Sequence, residues 1–453
     1  DDFRIWKIRI REDAQWHDGE PLTAEEVMAS LAYSPRDIIE RVETKGVSEI
    51  TFRLKERFVP APWQLMFPVL PTHRIEQHKD ALSGDIEAAE VEFEKELRYS
   101  PIGNGPFKIV RSLDENGTSL SIERWEEYPD EHKPDFRRID FTVIADRIDR
   151  VRMLAEDDAD VIEMKADEFR WHVNGQSFDG RVNKFRTPRH NYDFLCWNLR
   201  DSVGPFFQNA NVRKALACAV DLPAIRKTLY GEVYGQCTGV FEQHPFTSDE
   251  ASDVSFNPRL AEQLLDDAGW RLERSNSIVR VRNGVEFRFT LMVPNVSATL
   301  VLAATLIREQ LARVGVSVNV EVVSFNSAEF RDKKDKKTFH TLFASVISSL
   351  HPSEDSERWA DLESGTNLSG YFNEVVANLF TQARGDVYSG PLYRQISDII
   401  YKDQPVMFLW QKPALWAFNK RIRGVTLENG YGPVRIYPGP RAWWVELKKD
   451  GAN

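Results

Sequence analysis

The chain has 453 residues, 42% of them hydrophobic and 28% charged, the ordinary balance of a globular protein. Its formal net charge of −11 excludes the lysine- and arginine-rich surface that nucleic-acid binding needs, so no nucleic acid is expected as a partner. No apolar run approaches the roughly 20 residues of a membrane-spanning helix, and at about 100–200 residues per domain the length allows two to four domains.

The chain opens on Asp1-Asp2, not on methionine, and inside what reads as a strand, so we expect a processed or incomplete chain. Residues 3–10 alternate apolar and polar, the pattern of a half-buried strand. Asp18-Gly19 marks a turn. Thr23 stands three residues before Glu26, the spacing of a capping box at a helix start, and helix follows over 27–31. Residues 50–54 read as strand. Residues 100–110 carry two glycines and two prolines before an alternating run, a tight loop entering a strand.

From 189 to 198 the chain reads Arg-His-Asn-Tyr-Asp-Phe-Leu-Cys-Trp-Asn. As a strand, it puts Tyr192, Phe194 and Cys196 on one face and Asn191, Asp193, Leu195 and Trp197 on the other. Residues 211–220 form a helix with Val212, Ala215, Leu216 and Ala219 inward. Asp221 caps the next helix, Pro223 sits in its first turn, and Gly231 lies past its end. Asn257-Pro258 starts a further helix that Gly269 ends. Residues 302–311 are helical, Gly315 stops them, and Val316, Val318, Val320 and Val322 alternate as a strand. The basic stretch 331–337 is broken by aspartates and reads as a solvated turn. Strands alternating with helices predict an α/β architecture.

No reactive motif emerges: no nucleophile elbow, phosphate loop, dinucleotide fingerprint or zinc-helix signature is present, and no catalytic residue, cofactor or metal is expected. His17-Asp18 reads as a loop pair. Cys196, Cys218 and Cys237 lack metal spacing, and one of the three must lack an intrachain partner. Cys218 is expected in the core.

The string Trp16-His-Asp-Gly-Glu-Pro-Leu-Thr-Ala-Glu-Glu resembles the signature of the family 5 extracellular solute-binding proteins, the peptide- and nickel-type receptors of bacterial ABC importers. Residues 100–110, 211–231, 257–270, 310–322, 403–405 and 419–425 resemble further family motifs in order, so the resemblance spans nearly the whole chain. The chain departs from the family in lacking a strand–helix portion before Asp1 and in short stretches near 31–50 and 388–390. The resemblance implies an α/β, two-lobed periplasmic-binding-protein-like fold with an additional accessory domain. It implies an accessory domain at 1–103, a hinge-proximal lobe at 104–190 returning at 429–453, and a far lobe at 191–428. Ligand held in a cleft between lobes would favour hinge closure.

The implied function is extracytoplasmic capture of a small solute for an ABC permease in the membrane, by a periplasmic monomer with or without a lipid anchor. Candidate ligand contacts are Tyr192, Trp197 and Asn198 on the strand entering the far lobe, Phe325 after the 316–323 strand, and Ser348, Ser349 and His351. Peptide-binding members commonly place an aspartate near Ser348 or Ser349 to pair with the peptide's α-ammonium; here a neutral hydroxyl stands there. That favours an oligopeptide-like ligand held otherwise, or a sugar or opine without a free amine. A second reading makes the chain the ligand-sensing domain of a transcriptional regulator whose DNA-binding head precedes Asp1; the residues upstream discriminate the two. A third, a hydrolase, requires facing carboxylates.

Overall fold

The computed structural model describes residues 3–111, 117–128, 133–187, 191–241, 246, 254–273, 277–347, 351–425 and 444–445. The chain divides into two compact units, one running to Phe185 and resuming at Trp416, the other spanning Arg186–Leu415.

The first unit begins with β1 (Ile5–Arg9), α1 (Ala24–Ser30), β2 (Ile39–Lys45) and β3 (Glu49–Leu54), in a sheet of order β1-β3-β2. β1 is an edge strand, and four of its five residues are exposed, so the half-buried pattern expected there does not hold. Ile50, Phe52 and Leu54 of central β3 instead carry the local core with Ala24 and Val27. Thr23 and Glu26 form the capping box of α1. Short α2 (Ala61–Gln64), α3 (His73–Ala81) and α4 (Ile86–Tyr99) follow. β4 (Phe107–Arg111), β5 (Ser119–Arg124) and β6 (Arg138–Thr142) make an antiparallel sheet; α5 (Arg147–Ala155), β7 (Val161–Glu163) and β8 (Val182–Thr187) complete this part.

The second unit is built on one six-stranded sheet. Its elements in chain order are β9 (Asn191–Trp197), α6 (Ala210–Cys218), α7 (Leu222–Tyr230), β10 (Gly235–Gln236), α8 (Pro258–Asp267), the hairpin β11 (Val281–Arg282) and β12 (Val285–Glu286), β13 (Arg288–Pro294), α9 (Ala298–Arg313), β14 (Ser317–Val323), α10 (Ala328–Asp335), β15 (Thr341–Ile347), α11 (Ser356–Ala360), α12 (Glu374–Arg384), α13 (Gly390–Asp403) and β16 (Val406–Gln411). The sheet order is β10-β16-β9-β15-β13-β14. β13 pairs parallel with both β14 and β15, through the helical crossovers α9 and α10 that parallel pairing requires. β9 lies antiparallel between β15 and β16 and is buried at all seven positions. Its Tyr192–Phe194–Cys196 face packs into the main apolar cluster with Phe408, Tyr393 and Ile400.

Local chemistry explains the element ends. Asp221 and Asn257 accept from the backbone N–H groups of Ala224 and Leu260 as N-caps of α7 and α8. Gly269 and Gly315 stop α8 and α9 with φ of 83° and 81°, a conformation that costs other residues. The stretch 331–337, expected as a turn, lies mostly in α10, whose Lys333 pairs with Glu321 and with Glu329 one turn before it. Alternating opposite charges at helical spacing support a helix face as readily as a loop. Cys196, Cys218 and Cys237 are all buried and free. The chain leaves the first unit within β8 and returns within β17 (Ala414–Asn419), which is adjacent to β7 and β8 in a three-stranded sheet.

Candidate functional site

The carboxyl ends of β13, β14 and β15 share one edge of the second unit's sheet, the edge at which open α/β sheets hold ligands. Strand register sets two rows of side chains there. Ile347, Asn191 and Lys412 form the outer row: Ile347 is the register partner of Asn191, whose carbonyl accepts from the Lys412 N–H at 2.7 Å. Ser345, Asp193 and Trp410 form the next row inward. Residues two apart on a strand share a face, so both rows face the same side.

Asp193 is nearly inaccessible, yet its carboxylate has partners on both oxygens. It accepts from Lys412 Nζ at 2.5 Å, from Trp410 Nε1 at 2.7 Å and from the Ser345 hydroxyl. Lys412 Nζ also donates to Ser345 Oγ at 2.8 Å. A buried carboxylate persists only when paired and hydrogen-bonded, and this one is both. Lys412 has three N–H bonds, and Asp193 and Ser345 take two. Asn191 is 8% exposed, and its side-chain oxygen is buried with no partner among the described residues. Around this polar centre the edge is apolar and open: Ile347, Val296 and Phe325 are each about half exposed.

The residues expected as contacts fall in several places. Phe325, just after β14, is 52% exposed and leans on Phe330 at 5.4 Å between ring centroids. Tyr192 is buried on the opposite face, against Phe194 and Phe408. His351 follows β15; its Nδ1 accepts from the Ser353 N–H at 3.2 Å and its ring meets Tyr393 edge-on. Burial pushes the His351 pKa down to about 4, so the ring is neutral near pH 7. Trp197 and Asn198 lie at the other end of β9. Trp197 is fully buried and stacks on Phe207, while the Asn198 amide donates to the carbonyls of Lys337 and Phe339, both at 2.8 Å. Ser348 and Ser349 lie outside the described residues. Sequence reasoning does not single out Asn191, Asp193, Ser345 or Lys412 as site residues. An aspartate within an otherwise apolar strand is a signal that a partner exists, but Lys412 lies 219 positions away and nothing local points to it.

A cavity of about 260 Å³ opens on the Phe194–Cys196 face, lined by Val346, Trp359, Leu368 and Val406 with Lys334 and Arg358 at polar positions. Among the described residues, no three His, Cys, Asp or Glu side chains converge as metal ligands.

The first unit contains a second polar cluster, and it is a joint. His17 accepts from the Gly103 N–H at 3.1 Å through Nδ1 and its Nε2 bonds the Gly105 carbonyl at 2.9 Å, fixing the 100–110 loop to the 16–26 turn. Its pKa is lowered, chiefly by burial. His73 bridges Glu26 (2.6 Å from Nδ1) and Asp18 (2.8 Å from Nε2). A neutral imidazole offers one donor only, so two carboxylates on two ring nitrogens mark an imidazolium. Burial alone lowers the His73 pKa, but the bonds to Asp18 and Glu26 outweigh it and raise it.

An α/β unit that presents a charge-balanced polar centre and open apolar surface at the carboxyl edge of its parallel strands has the makings of a solute-binding protein. The sequence profile of the bacterial extracellular solute-binding proteins, family 5, matches residues 1–366, and the chain belongs to that family. Among its relatives, the oligopeptide-binding protein AppA of Bacillus subtilis is 24% identical, over 97% of this chain and 80% of AppA; protein XP55 of Streptomyces lividans is 25% identical, over 94% and 77%. The structure of Bacillus subtilis AppA in complex with a nonapeptide superposes with a TM-score of 0.74 at 22% identity, over 99% of this chain and 88% of AppA. That of NikZ from Campylobacter jejuni in complex with Ni(L-His) does so with 0.79 at 20%, over 98% and 88%. The fold is therefore of the α/β, two-lobed periplasmic-binding-protein type. The chain is an extracytoplasmic binding protein of the class that serves ABC importers, and not an enzyme. No helix among the described residues is long and apolar enough to cross a membrane.

Proposed function

We propose that the protein captures an oligopeptide-like solute at the carboxyl edge of the Arg186–Leu415 sheet and delivers it, as a monomer, to an ABC permease. The observation that carries this reading is the polar centre of Asn191, Asp193, Ser345 and Lys412 beside the exposed Ile347, with the exposed Phe325 at the carboxyl end of β14 in the same sheet. A peptide offers both halves of that chemistry, since its amides hydrogen-bond and its side chains bury apolar surface. One relative points the same way: Bacillus subtilis AppA is named oligopeptide-binding, and its structure was determined with a nonapeptide. On this reading Phe325 is the first contact and His351 follows the same edge, Tyr192 backs it from the opposite face of β9, Ser348 and Ser349 are proposed as further contacts, and Trp197 and Asn198 hold β9 from its far end. The division into an accessory part at 1–103, a hinge-proximal lobe at 104–190 with 429–453, and a far lobe at 191–428 goes with capture by hinge closure. A sugar or opine lacking a free amine is the competing ligand class.

A thermal-shift and calorimetric screen of oligopeptides, oligosaccharides, opines and nickel–histidine tests the proposal, because a ligand that binds only the folded state raises apparent stability. Oligopeptides alone should stabilise the protein, and scattering should report a smaller radius of gyration once they bind. Stabilisation by a sugar, an opine or the nickel chelate, with none by peptides, would overturn it.

A further inference from the structure

We infer that Asn191 and Lys412 together read a neutral amide of the ligand and not its α-ammonium. The inference rests on the peptide reading above and narrows it. Asp193 is the acid at the centre of the edge, and it is fully committed: Lys412, Ser345 and Trp410 supply its donors. An incoming ammonium would find no free carboxylate there. It would also lie beside the Lys412 ammonium, which repels it.

What remains unfilled is one acceptor, on Asn191 in the outer row, and one donor, on Lys412, whose backbone pairs with Asn191 and whose ammonium reaches in to Asp193 and Ser345. The acceptor is the Asn191 side-chain oxygen, on a residue 8% exposed and without a partner among the described residues. An orphaned buried acceptor costs free energy in the empty protein, and that cost is relieved when a ligand N–H reaches it. The donor is the third N–H of Lys412, whose side chain is 22% exposed while Asp193 and Ser345 hold the other two. The two residues are neighbours across the β9–β16 pair, joined by the 2.7 Å backbone bond. A peptide group carries an N–H and a C=O on one rigid plane, which matches an acceptor and a donor on adjacent strands. Ile347, on the other side of Asn191, offers a half-exposed apolar surface for the side chain next to that amide.

The test uses the full chain and a set of tri- to nonapeptides, each made with a free and an acetylated N-terminus, with binding followed by calorimetry. Acetylated peptides should bind at least as tightly as their free-amine forms. Asn191→Leu should weaken both about tenfold, the worth of one neutral hydrogen bond. It should also raise the melting temperature of the empty protein by about 2 °C, because an apolar group replaces an unpaired polar one. A residue with a merely structural role would lower that temperature. If acetylation abolishes binding, the ammonium is the anchor and this inference falls while the peptide function stands. It falls in the same way if Asn191→Leu binds like the wild type, or if the empty variant melts lower. If neither peptide form binds the wild type, the inference and the proposed function fall together. The acetylation arm needs no variant, so it decides even if Asn191→Leu fails to fold.

Discussion

Arg213 shows how much one residue can hold without appearing in the chemistry of binding. It is 5% exposed, and its guanidinium donates five hydrogen bonds, all to backbone carbonyls of Phe207, Gln208, Asp403 and Gln404. Burial pulls its pKa down to about 10, so it remains charged. It thereby ties the entry of α6 to the end of α13, where Gln404 takes a left-handed conformation at φ 47°. The planar fork matters, because an ammonium has three donors and no fixed plane. Arg213→Lys should therefore cost about 2–4 kcal/mol in denaturant unfolding. A loss below about 0.5 kcal/mol, the range of an ordinary surface change, would mean that the carbonyls find other donors. The sequence places this arginine within a family-like motif but cannot say why it is there, since its acceptors lie up to 191 positions away. The same limit hides Lys412. Side chains whose partners are distant in sequence leave no local pattern, whereas caps such as Asp221 and Asn257, whose partners are three residues on, are legible from the sequence alone.

At the scale of elements, legibility follows locality. The helices at 211–220 and 257–268, the Gly269 stop of the second and the valine strand at 316–322 all appear where period and capping put them. The alternation of β9 sorts its two faces, yet periodicity cannot reveal that both faces are buried, because that depends on which helices cover them. The stretch at 331–337 departs from expectation for a related reason: charge density suggests a solvated turn, but regular opposite-charge spacing lets it continue α10. The 16–26 segment is the most determined of all. Glu26 closes the capping box with Thr23, accepts from Trp16 Nε1 at 2.9 Å, and pairs with His73. Loss of the cap alone, Thr23→Ala, should cost about 1 kcal/mol. Glu26→Ala should cost about 3 kcal/mol or more, because it also strips a partner from a buried indole and an imidazolium. Equal losses in the two variants, measured by denaturant unfolding, would show that Glu26 acts only as a cap.

For the whole molecule, the two units carry histidines of opposite sign, which gives a means of following each one. His351 belongs to the Arg186–Leu415 unit, and burial holds its folded pKa at about 4, against 6.5 for the free side chain. The unfolded chain therefore binds a proton that the native unit refuses between those values. The stability of this unit is fully present above pH 6.5 and is lost as pH falls toward 4, by on the order of 2–3 kcal/mol. His340, also in this unit and also lowered by burial, acts in the same direction. His73 belongs to the first unit, and its pKa is raised once its bonds to Asp18 and Glu26 overcome burial. Its contribution is complete below pH 6.5 and disappears as pH rises through the higher folded value. His17, in the same unit and lowered by burial, works against it, so the comparison must be made with a variant. Separate compact units of this size unfold in separate transitions, which scanning calorimetry resolves. Acidification from pH 7 to 5 should lower the transition of the second unit, and His351→Asn should flatten that dependence, since asparagine still caps the Ser353 N–H but does not titrate. His73→Gln should lower the transition of the first unit more at pH 5.5 than at pH 8.5. Oligopeptide should raise the transition that acid lowers, because the edge formed by Asn191, Ile347 and Lys412 lies in the same unit as His351. A peptide that raised the other transition alone would place binding away from this edge.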